Sequence, residues 1–160
     1  YRVSDELRLN GGIRWESTQR EFQGGLADRD DSTFSASGGI SRDLAEGWNV
    51  SGNLSYTERT PDTAELYSDG PHHATESFEV GNPNLKDETA VSVEIMLRKT
   101  MGKLTGQVSA YHTEFDNYVF LEGHGVQLVG DENMTKREYT GVKAEFQGLE
   151  AEIKIGRAHV

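Results

Sequence analysis

Two adjacent histidines, His72 and His73, stand in a stretch that also carries Asp69, Glu76 and Glu79. Neutral imidazole nitrogen and carboxylate oxygen are donors that zinc accepts in sites of three or four ligands, so His72, His73 and Glu79 form the candidate metal set. Adjacent residues of an extended chain point to opposite sides. Both imidazoles can reach one ion only if the chain turns, which Gly70 and Pro71 are placed to supply. The alternative is that both histidines pack or hydrogen-bond within a folded loop. His124, between Gly123 and Gly125, lies in a separate connection that could converge on them. His112 reads as a wall or lumen residue, and His159 falls in the C-terminal tail.

Other chemistry is not signalled. The chain has no Gly-rich phosphate loop, no HExxH and no G-x-S-x-G. Asp28, Asp30 and Asp31 lack the glycine and distal glutamate of a calcium-binding EF-hand loop and read as a solvated acidic run. Glu94, Arg98 and Glu145 are candidate lumen charges rather than a catalytic pair. The reading is therefore not an enzyme and has no bound cofactor, zinc entering only as a transported ligand. A formal net charge of -11 argues against nucleic acid, which needs basic patches. The absence of cysteine removes disulfides and thiolate metal sites.

The elements that must position these residues are strands. Eighteen glycines against three prolines, with mean hydropathy of -0.66, indicate turns and little packed core. No apolar run approaches the roughly 18 to 20 residues of a membrane helix, leaving either a soluble β protein or a membrane barrel. Alternation predicts six strands. Leu7, Leu9, Gly11, Ile13 and Trp15 share one face of the first; Phe34, Ala36, Gly38 and Ile40 one face of the second. Trp48, Val50, Gly52, Leu54 and Tyr56 share a face of the third, then Val91 to Leu97 and Leu104 to Ala110 repeat the pattern. In the sixth, Val142, Ala144 and Phe146 set one phase and Leu149, Ala151 and Ile153 the opposite one, which a bulge at Gly148 would reconcile.

Connections alternate in length. Ser17 to Asp31, Glu58 to Glu88 and Leu121 to Glu138 are long; Arg42 to Gly47 and Lys99 to Lys103 are short. Outer-membrane barrels combine short periplasmic turns with long extracellular loops, a rule that soluble sandwiches do not follow. Trp48 and Tyr56 bracket an apolar face about 26 Å along the strand at ~3.3 Å per residue, which a tilt of ~40° projects to roughly 20 Å, near the ~25 Å apolar band between aromatic girdles. Six strands are too few to close a membrane barrel, which needs about eight. The expected fold is an antiparallel up-and-down transmembrane β-barrel, all-β and partial, spanning residues 1–154. Tyr1 is not an initiator Met and alternation begins within a few residues, so further chain is expected upstream. Residues 155–160, IGRAHV, interrupt the pattern and are read as a non-native tail.

The run Glu58, Arg59, Pro61, Glu65, Leu66, Tyr67 and the later run Gly81, Asn82, Pro83, Asn84, Leu85, Lys86 resemble paired motifs of TonB-dependent receptors. Phe115, Asp116, Asn117, Tyr118 and then Phe146, Gly148, Leu149, Glu150 are similar to later stretches of that family, in its order. The resemblance covers residues 48 to 154. It implies a large barrel in outer-membrane lipid, plugged by an N-terminal domain outside this chain, with energy relayed from an inner-membrane TonB complex through that plug.

Within the family, Gly70 to Thr75 and Phe78 to Gly81 are most similar to receptors associated with zinc uptake, so the implied partner is a small ligand or metal ion captured by extracellular loops. Two alternatives stay open. The cargo could be an iron chelate, haem, a vitamin or a saccharide, engaged by Phe78, Tyr67 or Arg59. A soluble β-sandwich binding module would show similar alternation.

Overall fold

The computed structural model describes residues 1–21, 28–129 and 132–156. These form one sheet of β1 (Leu7–Arg20), β2 (Arg29–Asp43), β3 (Trp48–Arg59), β4 (Asp69–His72), β5 (Ser77–Val80), β6 (Glu88–Lys99), β7 (Leu104–Val129) and β8 (Glu132–Ile155). A short helix, α1 (Thr63–Tyr67), lies between β3 and β4. The spatial order is β1-β2-β3-β6-β7-β8-β5-β4. The six expected strands are the six long ones, antiparallel to one another throughout. β4 and β5 are extra, a hairpin inside the longest connection, and β5 joins β8 in parallel. A sandwich needs two facing sheets. Here there is one, and no helix among the described residues is long and apolar enough to cross a membrane.

Pairing fixes the two faces. Leu9, Ile40, Leu54 and Ile95 lie on one side, and the same parity carries Val108, Leu149 and Ile153. These side chains are bare: Ile13 is 81% exposed, Leu149 74% and Ile153 71%. A soluble sheet would cover such a face, whereas lipid covers it in a barrel wall. The other face carries Arg8, Asn10, Ser37, Asn53, Glu94, Arg98 and Gln107, the polar surface of a lumen.

The apolar band drifts across the sheet in a way that reports strand tilt. On β1 the run Leu7 to Trp15 centres on Gly11, which aligns through Gly38 with Leu54 of β3. On β8 the run Leu149 to Ile155 centres on Glu152, which aligns through Gln107 and Arg98 with Asn49 of β3. From Leu54 to Asn49 is five residues, reached in five strand-to-strand steps. One residue (~3.3 Å) per ~4.8 Å step is a slope of about 35°, the tilt that barrel closure imposes.

Two expectations are corrected. Leu121 to Glu138, expected as a loop, is the continuation of β7 and β8, so the wall ends there in a tall hairpin whose tip, residues 130 and 131, lies outside the described residues. Its residues meet water or the β4–β5 hairpin, with Met134 buried, so lipid and lumen impose no two-face alternation there. Nor is there a bulge at Gly148: the β7–β8 register runs unbroken from Leu104–Ile155 to Phe115–Ala144. The phase change is real and means that Phe146 turns to the lumen face. The bulges sit on β7 instead, between Phe115 and Tyr118 and between Gly123 and Val126, with Asn117 at φ 57° and Gly125 at φ 110°.

Ile155, the first residue of the expected tail, pairs with Leu104 as the last residue of β8. Residues 157–160, with His159, lie outside the described residues, as do 22–27 within the first long connection.

Candidate functional site: the outer segment between β3 and β6

The paired motifs build this segment. Arg59 at the end of β3 donates from Nη1 to Glu65 Oε2 at 2.8 Å and from Nη2 to Glu88 Oε2 at 3.3 Å, tying α1 to the start of β6. Asp62 caps α1: its side chain accepts from Glu65 N–H at 2.8 Å while the Glu65 carboxylate accepts from Asp62 N–H at 2.7 Å. Leu66 and Leu85 are buried together with Val119 of β7, against Tyr67 and Tyr139. Gly81 N–H donates to Ser68 O at 2.6 Å, and a Cβ at Gly81 would run into the backbone of Leu66 and Tyr67. The second motif therefore docks on the helix that the first one forms. Arg59 and Tyr67, considered for an organic cargo, are held in this packing.

A second clamp lies at the top of β1 and β2. Arg20 and Arg29 flank Asp31 at 3.1 and 2.6 Å, and Arg20 donates to Pro61 O at 2.9 Å and Thr60 Oγ1 at 2.9 Å. The acidic run Asp28 to Asp31 is thus partly structural, because Asp31 holds the two arginines that grip the outer segment. Asp87 lies 3.6 Å from Arg29 Nη2. Burial, then the nearby Asp31 charge, raises its carboxyl pKa above the ordinary value.

The β4–β5 hairpin presents the candidate metal residues. Its turn is His73 to Glu76, with Glu76 at φ 48°, rather than at Gly70 and Pro71, which belong to β4. His72 pairs with Ser77 across the hairpin, so its ring lies near Glu79: Nδ1 is 3.5 Å from Glu79 Oε1 and 3.0 Å from Thr75 Oγ1. Glu79 is 6% exposed. Thr75 and Ser77 hydroxyls donate to its Oε1 at 2.9 and 3.4 Å, and Tyr139 donates to Oε2 at 3.3 Å. Burial and the Glu79 charge push the Tyr139 phenol up to about 12. Among the described residues the one ion-pair partner of Glu79 is His72. The arrangement is an anionic pocket with hydroxyl donors and an imidazole at its mouth, which favours a cation.

His72 and Glu79 are thus brought together, whereas His73 occupies the turn. Among the described residues no three His, Cys, Asp or Glu side chains form a group able to hold a metal ion. His124 lies 3.4 Å from Glu122 within β7. Thr75, Ser77 and Tyr139 were not anticipated. Ser77 shares a strand face with Glu79 and was legible in principle, but Tyr139 arrives through the parallel β5–β8 pairing across 60 residues.

On the lumen face, Phe115, Tyr118 and Phe146 form a triangle with ring centroids 5.1 to 5.4 Å apart. Glu94 and Arg98 face the lumen as expected. Glu145 does not: it pairs with Glu114 on the outward face, and its Oε1 is 3.6 Å from His112 Nδ1.

Comparison with known proteins agrees with this architecture. The Serratia marcescens hemophore receptor HasR, solved as a double mutant with its hemophore HasA and heme, superposes with a TM-score of 0.67 at 18% identity, covering 92% of this chain and 29% of that one. The copper transporter OprC gives 0.70 at 21% identity, covering 94% and 25%. The siderophore receptor PirA from Pseudomonas aeruginosa gives 0.68 at 17% identity, covering 93% and 28%. These identities show the fold alone, and the chain spans less than a third of each receptor. A family model described as TonB dependent receptor-like, beta-barrel matches residues 1–156. The lipid-facing band, the tilt and the motif-built outer segment are therefore those of an outer-membrane wall, and the chain belongs to the TonB-dependent receptor β-barrel family.

Proposed function

We propose that this chain is the wall and outer-loop region of an uptake receptor for a metal ion, zinc, which the β4–β5 hairpin helps to capture. The observation that carries this reading is the buried Glu79 carboxylate with His72 Nδ1 at 3.5 Å. A carboxylate taken out of water is costly unless a cation neutralises it. Zinc would take His72 and Glu79 as donors, with groups elsewhere in the receptor completing the set. The plug and the TonB complex are the proposed partners for passage inward. That one receptor of like fold is a copper transporter supports a metal cargo in principle.

Calorimetry on the full-length receptor tests the site. His72→Ala and Glu79→Gln are each expected to weaken zinc binding about tenfold or more. Unchanged affinity after replacing both His72 and His73 by Ala would overturn the assignment.

A second reading, an iron chelate or haem cargo, is favoured by the lumen-facing triangle of Phe115, Tyr118 and Phe146. Growth separates the two: a deletion strain that grows normally under zinc starvation but fails on a chelated iron source supports the second and contradicts the first.

A further inference from the structure

At the periplasmic end of the outward face, four residues fall in one cross-strand row: Trp48 of β3, Lys99 of β6, Gly106 of β7 and Ile153 of β8. Trp48 opens β3 and Lys99 closes β6, so both stand beside the short turns. The Lys99 ammonium lies 5.2 Å from the Trp48 ring centroid. Because Gly106 has no side chain, the row is interrupted, and a groove of ≈ 240 Å³ opens there, walled by Trp48, Leu104, Val108 and Ile153. Among the described residues Lys99 enters no ion pair with a carboxylate, unlike Arg8, which meets Asp43 on the lumen face.

We propose that this groove is a binding site for a phospholipid of the periplasmic leaflet, its phosphate on Lys99 and an acyl chain lying over Gly106. The occupant follows from position and charge. The groove lies within the apolar band, where lipid is the surrounding solvent, so an acyl chain is the chemistry in contact with it. At its periplasmic end the headgroup level begins, and a lysine there extends along apolar surface to place its charge among phosphates, with tryptophan at the same level. The opposite rim of the outward face carries Glu114 of β7 and Glu145 of β8 beside His112. Its charge is of the wrong sign for a phosphate. Lys143 lies on the same side two residues from Glu145, so the outer rim carries two carboxylates against one ammonium and remains net negative, whereas Lys99 stands by the groove with no carboxylate partner among the described residues.

Native mass spectrometry of the full-length receptor in detergent, titrated with phosphatidylglycerol, tests the site. Lys99→Glu removes the cation and Ala151→Phe fills the groove, since Ala151 also lines it. Each variant is expected to lose about tenfold in affinity for the tightest lipid, while Glu145→Gln on the far rim binds as the unaltered receptor does. Heat-modified gel migration checks that all three remain folded barrels. Equal affinity in the unaltered receptor and in both folded groove variants would overturn the site. Displacement of the bound phosphatidylglycerol by lipid A at equal concentration would overturn its assignment to the periplasmic leaflet.

Discussion

Glu79 and Tyr139 show how one residue's chemistry depends on distant chain. Tyr139 keeps its proton up to about pH 12 because burial and the Glu79 carboxylate both disfavour the phenolate. A folded-state pKa raised above the ordinary 10.0 contributes stability that is complete below pH 10 and is lost as pH rises through about 12. Absorbance titration of the tyrosines should therefore show a late phenol that Tyr139→Phe removes; an unchanged profile would mean the contact does not form. Gly148 makes a second residue-scale test. A Cβ there would lie 2.6 Å from the Tyr111 ring, so Gly148→Ala should displace that ring. Because the displaced atoms are the far end of a half-exposed side chain, the expected cost is below about 1 kcal/mol, read as a small drop in the unfolding temperature of the full receptor. The phase change around Gly148 is plain in the sequence, but its cause is not, because the aromatic triangle that draws Phe146 inward joins two strands. That His72 and Glu79 would meet was legible, since seven residues with a turn between them suffice for contact. That His73 would fall in the turn depended on where the hairpin reversed, and Gly70–Pro71 was the stronger local turn signal.

At the scale of elements, the segment from Thr60 to Asp87 is a folded cap held by two arginine clamps. Arg59 is the better handle, because it joins β3, α1 and β6 in one set of charged hydrogen bonds. Arg59→Ala should leave the wall intact and loosen the cap by about 1 kcal/mol after solvent screening. Limited proteolysis of the full receptor would register this as faster cleavage between residues 60 and 87, and cleavage at the unaltered rate would contradict the clamp. Asp87→Asn should act in the opposite direction or not at all. The raised pKa means that the charged form is disfavoured in place, so its stabilising contribution appears below the ordinary carboxyl pKa and is lost as pH rises. The paired motifs mark this cap in the sequence as a family signature; its physical content is that Leu66, Gly81 and Leu85 must meet. β4 and β5 were hidden because a four-residue strand needs a partner edge, and theirs is on β8.

For the whole molecule, the wall was readable because lipid and lumen impose opposite polarity on alternate residues, a constraint that acts wherever the strand crosses the bilayer. It ceases above the bilayer, which is why the upper halves of β7 and β8 passed for loop. The slope of the apolar band, one residue per strand, ties the registers to a tilted barrel without reference to any relative. The lengths of the connections fix which compartment each one faces: the short turns at 44–47 and 100–103 are periplasmic and the long connections are outer. The chain contains no cysteine, so single introduced cysteines report accessibility directly. In an otherwise cysteine-free full-length receptor on intact cells, a membrane-impermeant maleimide should label Ala74→Cys in the outer hairpin, spare Glu46→Cys until the outer membrane is permeabilised, and leave Ile95→Cys unlabelled throughout. Labelling of Glu46→Cys on intact cells, or of Ile95→Cys in the assembled barrel, would contradict the account.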